Sequence, residues 1–115
     1  MAFSLDRIRH LYDFSSNFLE INGHQLHYVD EGAGEPVVML HGNPTWSFMY
    51  RDLIRLLRTR FRVIVPDHIG CGLSSKPTDS EYDYSLSQRI LDIESFLNRL
   101  EIDEPITLIV HDWGG

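Results

Sequence analysis

The hydrophobic and polar positions of this chain follow two different periods, which predict strands in some stretches and helices in others. Residues 18–21 and 25–29 alternate with a period of two, which is typical of strands with one buried face. Asn22-Gly23 lies between them and favours a tight hairpin turn, because both residues tolerate positive φ. The apolar stretches 37–40 and 62–65 predict strands buried on both faces.

Two later stretches change to helical spacing. Apolar residues recur at helical intervals at Tyr50, Leu53, Ile54 and Leu57, and again as one stripe at Leu86, Ile90, Ile93, Leu97 and Leu100. Ser85 and Gln88 fit a capping box, with Ser85 as N-cap and Gln88 reaching back. Residues 106–110 predict a final buried strand, whereas residues 1–16 carry only a weak pattern and predict a surface arm or a short helix.

The order is therefore a hairpin followed by strand, helix, strand, helix and strand. This alternation predicts an α/β fold, with a mostly parallel sheet, an antiparallel N-terminal hairpin and flanking helices. Ligand sites in such sheets lie at the carboxyl ends of the strands. Three turn-rich segments fall at those ends, at residues 41–46, 67–74 and 112–115.

Composition and charge narrow the class of protein. The 115 residues suffice for one domain at most, and a hydrophobic fraction of 43% allows a packed core. A net charge of -7 disfavours nucleic acid and anionic membrane surfaces as partners. The single cysteine, Cys71, excludes an internal disulfide and fits a reducing compartment. No signal peptide or apolar membrane span is readable, so we expect a cytoplasmic protein.

The last stretch holds the strongest candidate for chemistry. An apolar strand leads to Asp112, which is followed by Trp113 and two glycines. This is the layout of a nucleophile elbow, a strand–turn–helix that exposes a nucleophile above a parallel sheet. A carboxylate with a pKa of about 3.9 is ionised at neutral pH and attacks without a base. The alternative is that Asp112 caps the next helix.

The three strand ends together resemble the N-terminal half of the α/β-hydrolase superfamily, from about Phe18 to Gly115. The segments His41–Trp46 and His111–Gly115 resemble the haloalkane dehalogenase group, with Val110 two positions before the nucleophile as that group tolerates. The stretch Pro66–Ser74 is more similar to dehalogenase relatives that decarboxylate β-lactones in bacterial olefin biosynthesis. The resemblance implies that residues 1–115 are the N-terminal portion of one domain, truncated at the elbow.

The resemblance also implies roles for individual residues. Asp112 would be the catalytic nucleophile that forms a covalent ester, while Asn43 and Trp113 would stabilise an oxyanion or a departing halide. For Asn43 a turn role before Pro44 stays open, and for Trp113 plain packing does. Three further residues, His41, Gly42 and Gly114, would belong to the structural motif. No metal site is expected, because no ligand spacing connects the histidines and Asp67.

The family's general base and acid lie after the elbow, so neither is expected in this chain, and alone it should not turn over substrate. The resemblance implies a hydrolase of the haloalkane dehalogenase type. The alternatives are a β-lactone decarboxylase, an epoxide hydrolase and a non-catalytic scaffold. We expect no cofactor and a small hydrophobic substrate, with partner enzymes of a lipid or olefin pathway as a further hypothesis.

Overall fold

A mixed sheet organises the chain, of which the computed structural model describes residues 12–42 and 46–110. Its five strands lie in the order β1-β2-β4-β3-β5. The strands are β1 (Asn17–Ile21), β2 (His24–Glu31), β3 (Pro36–Leu40), β4 (Arg62–Pro66) and β5 (Thr107–Val110). A 3-10 helix (Ser47–Tyr50) runs into α1 (Arg51–Leu57), and α2 (Leu86–Arg99) joins β4 to β5. The predicted α/β fold class is confirmed.

The pairing directions match the prediction of a hairpin followed by crossovers. Strand β1 pairs antiparallel with β2, and the turn between them holds Asn22 at φ 50° and Gly23 at φ 85°. Strand β2 pairs antiparallel with β4, whereas β3 pairs parallel with both β4 and β5. Strand β3 lies between β4 and β5, and all five of its residues are buried.

The strands bury a different set of side chains on each face of the sheet. Val37 and Met39 of β3 belong to a core cluster with Ile54 of α1. Val38 and Leu40 alternate with them and belong to a second cluster with Phe96 of α2. Because successive side chains of a strand point to opposite faces, the two helices cover opposite sides of the sheet.

The N-terminal segment is more deeply packed than its weak pattern predicted. Tyr12 and Phe14 are almost completely buried and belong to the α1-side core cluster. Their rings meet edge to face at 5.2 Å between centroids. For these described residues, the prediction of a surface arm or short helix was wrong. These two buried rings anchor the segment, while Asp13 between them and Ser15 and Ser16 after them are exposed.

Helix α2 packs part of the predicted apolar stripe against the sheet, since Ile93, Leu97 and Leu100 are partly buried against the core cluster that contains Phe96. Leu86 and Ile90 are about half exposed, and the buried positions of the helix are Arg89, Asp92 and Phe96. Burial of the Asp92 carboxylate is possible because Asn22, Gln88 and Tyr82 all donate hydrogen bonds to it. Such a polar network, built from distant parts of the chain, is invisible to a hydrophobicity pattern.

The cap of α2 is half of the predicted capping box. Ser85 is the N-cap, and its Oγ accepts a hydrogen bond from the Gln88 backbone N–H at 3.2 Å. The Gln88 side chain does not reach back, because its amide nitrogen donates to Asp92 instead. The Ser85 backbone N–H donates to Asp83 Oδ1 at 3.1 Å. Asp83 therefore fills the position that the sequence assigned to Gln88.

Candidate active site

The carboxyl ends of β3, β4 and β5 meet at one edge of the sheet. Leu40, the last residue of β3, pairs with Val110, the last residue of β5. Val38 pairs with Ile64, so the end of β4 lies beside the end of β3. The segments that follow these strands begin at His41 and Asp67, two of the three stretches in which the sequence predicted the site.

His41 and His68 hold the ends of β3 and β4 together. The His68 backbone N–H donates to His41 Nε2 at 3.0 Å, and the His68 ring donates from Nε2 to the His41 carbonyl at 3.1 Å. His41 Nδ1 donates to the Gly42 carbonyl at 2.6 Å. Because carbonyl oxygens only accept, these bonds define one neutral tautomer for each ring. His41 carries its proton on Nδ1, and His68 carries it on Nε2.

Burial of both rings favours these neutral forms. Burial lowers the pKa of His41, against the opposing effects of the Gly42 carbonyl and of Asp67. Burial, together with the neighbouring His41 and Arg89, lowers the pKa of His68 from 6.5 to about 3. The ring of His41 is fully buried and that of His68 is nearly so. The pair therefore keeps its hydrogen-bonded tautomers at neutral pH.

The carboxylate of Asp67 is a fully buried acceptor that connects three segments. Its Oδ1 accepts from the Ser47 backbone N–H at 2.6 Å. Its Oδ2 accepts from the Leu73 backbone N–H at 3.2 Å and from His27 Nδ1 at 2.8 Å. Asp67 and His27 are both inaccessible to solvent. A buried carboxylate is tolerated here because its oxygens are hydrogen-bonded by three donors.

The turn after β4 wraps closely around this carboxylate. Ser74 Oγ donates to the Asp67 carbonyl at 2.6 Å and accepts from the His27 backbone N–H at 2.8 Å. Gly72 has φ 52°, and a Cβ atom there would lie 2.6 Å from the Asp67 carboxylate and 2.8 Å from Trp46 Cβ. Only glycine lets the turn approach the carboxylate this closely.

An aromatic cluster packs around the start of the 3-10 helix. The Tyr12 hydroxyl lies 2.6 Å from Ser47 Oγ, and its ring centroid lies 5.1 Å from that of Trp46. Trp46 and Phe48 are partly buried and stack at 5.4 Å. The Tyr50 hydroxyl donates to the Leu40 carbonyl at 2.9 Å. The start of the 3-10 helix is therefore fixed from several directions.

The structure describes two of the residues that the sequence selected for the site. His41 and Gly42 are both buried at the end of β3. The remaining four lie outside the described residues, and their roles stay predictions; they are Asn43, Asp112, Trp113 and Gly114.

Sequence reasoning missed three residues that organise this edge. They are Tyr12, His27 and Ser47, which lie in three different elements or segments. No spacing connects them, because each contact joins positions at least 20 residues apart. The turn pattern of residues 67–74 was the available signal, since it marked Asp67 without revealing what its carboxylate binds.

Cys71 lies in the turn that follows β4. Cys71 is partly exposed, its Sγ lies 4.0 Å from Arg89 Nη2, and burial raises the pKa of its thiol. In residues 12–42 and 46–110, no group of three or more histidine, cysteine or acidic side chains is arranged to hold a metal ion. Over the same ranges, no helix combines the length and apolarity needed to cross a membrane.

The sheet order, the crossovers and the polar edge define a known class of protein. A family model described as the alpha/beta hydrolase fold matches residues 35–115. The chain therefore belongs to the α/β-hydrolase family, as the resemblance implied.

Particular relatives fall in two functional groups. The chain is 60% identical over 105 residues to a cis-3-alkyl-4-alkyloxetan-2-one decarboxylase of Shewanella oneidensis, across 91% of this chain and 33% of that protein. It is 44% identical to haloalkane dehalogenase 2 of Mycobacterium tuberculosis, across 91% of this chain and 36% of that protein. The chain thus spans about a third of the length of these relatives.

Solved structures of a haloalkane dehalogenase and an epoxide hydrolase are also similar to this chain. The crystal structure of haloalkane dehalogenase DatA from Agrobacterium tumefaciens is similar with a TM-score of 0.79 at 34% identity, over 87% of this chain and 33% of that one. The epoxide hydrolase CorEH matches with a TM-score of 0.78 at 35% identity, over 88% of this chain and 34% of that one. The backbone therefore follows the family's fold over most of its length.

Proposed function

We propose that residues 1–115 form the N-terminal portion of one α/β-hydrolase domain, in an enzyme that uses Asp112 as its nucleophile. The observation that carries the proposal is the pairing of Leu40 with Val110. It brings the end of β5, two residues before Asp112, beside the end of β3, directly before His41 and Gly42. In the relatives, which are about three times as long, the remaining chain has room for a general base, its acid partner and a cap.

The proposed substrate is a small hydrophobic β-lactone, a four-membered cyclic ester. This reading rests on the 60% identity to a cis-3-alkyl-4-alkyloxetan-2-one decarboxylase, against 44% identity to a haloalkane dehalogenase. An oxetan-2-one has a strained ring with an sp³ carbon bonded to the ring oxygen. That carbon is a suitable target for a carboxylate that is already ionised at neutral pH.

The proposed reaction has two steps. In the first, an Asp112 oxygen bonds to the sp³ carbon, and the carbon–oxygen bond of the ring breaks with its electron pair on the released carboxylate. In the second, the bond to that carboxylate breaks and releases carbon dioxide. The electron pair forms the carbon–carbon double bond, and the ester bond to Asp112 breaks to regenerate its carboxylate. The sequence consumes no water and leaves an alkene.

Haloalkane hydrolysis is the second candidate, favoured by the dehalogenase relatives and the solved dehalogenase structure. Asp112 would displace halide from an sp³ carbon, with Asn43 and Trp113 donating hydrogen bonds to the leaving group. Water activated by a histidine would then hydrolyse the ester on Asp112. This route needs a general base, whereas the decarboxylation does not.

Product analysis separates the two candidates. The full-length protein is incubated with a cis-3,4-dialkyl oxetan-2-one or with a 1-haloalkane, and carbon dioxide, alkene and halide are measured. We expect carbon dioxide and alkene in equal amounts, and loss of turnover by about 10⁴-fold or more in Asp112→Asn. Asp103→Asn, an exposed aspartate, is the control and should retain activity. Halide release alone would select the dehalogenase, and equal ligand binding without chemistry in both proteins would indicate a scaffold.

A further inference from the structure

Gly42 and Ser47 are each held in place by one of two adjacent residues, His68 and Asp67. On the Gly42 side, His68 donates from its backbone N–H to the His41 ring and from its own ring to the His41 carbonyl. On the Ser47 side, Asp67 Oδ1 accepts from the Ser47 backbone N–H at 2.6 Å. Both contacts are buried. The dipeptide that follows β4 therefore fixes Gly42 and Ser47 relative to each other.

The hydrogen bonds on the Gly42 side also fix the direction of a carbonyl group. The His41 ring accepts at Nε2 and donates at Nδ1 to the Gly42 carbonyl at 2.6 Å. This hydrogen bond fixes the direction of the Gly42 carbonyl group. His68 acts on this group through His41, whose orientation it sets with two hydrogen bonds.

The dipeptide is itself rigidly anchored. The Asp67 backbone N–H donates to the His27 carbonyl at 2.8 Å, and His27 Nδ1 donates to the Asp67 carboxylate at 2.8 Å. Ser47 is also held by Tyr12, whose hydroxyl lies 2.6 Å from Ser47 Oγ. A group held by several buried hydrogen bonds transmits a substitution to its neighbours, because none of the bonds can relax into water.

We propose that Asp67 and His68 are positioning residues that fix Gly42 and Ser47, the described residues on either side of the predicted oxyanion donor, Asn43. The inference rests on the proposed function, since it gives Asn43 its catalytic task. Neither side chain needs to touch the substrate, because Asp67 acts through Ser47 and His68 acts through His41. Preorganised donors stabilise the transition state only when they are held in place, and a misplacement of about 1 Å costs up to about 10²-fold in rate.

The test uses His68 in the full-length protein, with the β-lactone and the haloalkane as substrates. His68→Leu removes the ring donor, whereas His68→Gln keeps a side-chain N–H. We expect His68→Leu to lower kcat about tenfold or more with KM changed less than about twofold, and His68→Gln to recover most of the loss. His24→Leu, which removes a histidine at the hairpin turn, is the matched control and should keep wild-type kcat.

The outcomes separate this inference from the proposed function. If His68→Leu turns over like wild type while Asp112→Asn is inactive, the positioning role is wrong and the proposed function stands. If Asp112→Asn remains active, the proposed function fails whatever His68 does. A loss in His68→Leu that glutamine does not rescue, or that appears only in KM, also overturns the positioning role.

A second measurement applies if His68→Leu does not fold. The ¹⁵N shifts of the imidazoles in the wild-type full-length protein report which nitrogen carries the proton. We expect His41 to be protonated at Nδ1 and unprotonated at Nε2, and His68 to be protonated at Nε2. A proton on His41 Nε2 would exclude the hydrogen bond from His68 and would overturn the inference.

Discussion

The carboxyl ends of β3 and β4 differ sharply from the flank formed by α2 and β5. At the strand ends, polar groups such as the Asp67 carboxylate and the His41 ring are fully buried and find their partners within residues 12–110. On the α2–β5 flank, apolar side chains are about half exposed; these are Leu86, Ile90, Leu91, Leu108 and Val110. In the first region polar groups are buried with hydrogen-bond partners, although His27 Nε2 has none among the described residues, and in the second region apolar surface is left uncovered.

The difference follows from the interactions involved. A buried carboxylate is tolerated only with specific donors in place, so the network around Asp67 must be complete to exist at all. An exposed apolar side chain forfeits about 25 cal/mol for each Å² left in water, a cost that a fold sustains until another surface covers it. Leu108 and Val110 pair with Val38 and Leu40, so the uncovered face of β5 continues a buried one.

Breaking the buried network should have the largest effect on stability. Asp67→Ala leaves the donors of Ser47, Leu73 and His27 buried without their acceptor, so we expect the free energy of unfolding to fall by about 3–5 kcal/mol. Urea denaturation measures this change in the free energy of unfolding. Asp13→Ala removes a half-exposed carboxylate paired with Arg55 and should cost less than about 1 kcal/mol. Equal losses in the two variants would contradict the comparison.

The exposed flank gives a second prediction, which tests whether residues 1–115 are part of a larger domain. Leu108 is 55% exposed in this chain. If further chain covers β5 in the full-length protein, Leu108→Ala should cost about 2–4 kcal/mol there. In a protein of residues 1–115 it should change the free energy of unfolding by less than about 0.5 kcal/mol. A small effect in both proteins would mean that β5 remains an exposed edge.

The last prediction is a dependence of stability on pH. Burial lowers the pKa values of His41 and His68 below 6.5, so the unfolded chain binds protons that the folded chain does not. Stability is complete above pH 6.5 and is lost as pH falls toward about 3, with a slope approaching about 1.4 kcal/mol per pH unit for each histidine. The free energy of unfolding is measured between pH 5 and 6.5, which lies above the pH range in which carboxyl groups usually titrate.

A matched variant shows how much of the pH dependence of stability comes from His68. His68→Gln keeps a donor but cannot take up a proton, so it should remove the share of His68 while leaving that of His41. An unchanged slope in this variant would show that His68 titrates normally in the folded protein.

The fold was largely readable from the sequence because it depends on local patterns. The period of two, the Asn22-Gly23 turn and the buried run of β3 predicted the hairpin and the central strand. Ser85 was identified as an N-cap for the same reason. The resemblance selected the α/β-hydrolase family, which the family model confirmed. For the site, the sequence could identify the edge of the sheet and the residue types there.

Tertiary structure alone decided which groups meet. Tyr12 reaches Ser47 across 35 positions and His27 reaches Asp67 across 40, and no spacing in a sequence encodes such pairs. The burial of Asp92 on α2 was missed for the same reason, since Asn22 and Tyr82 make it favourable. Hydrophobic periodicity is a property of neighbours along the chain, whereas satisfaction of buried polar groups is a property of neighbours in space.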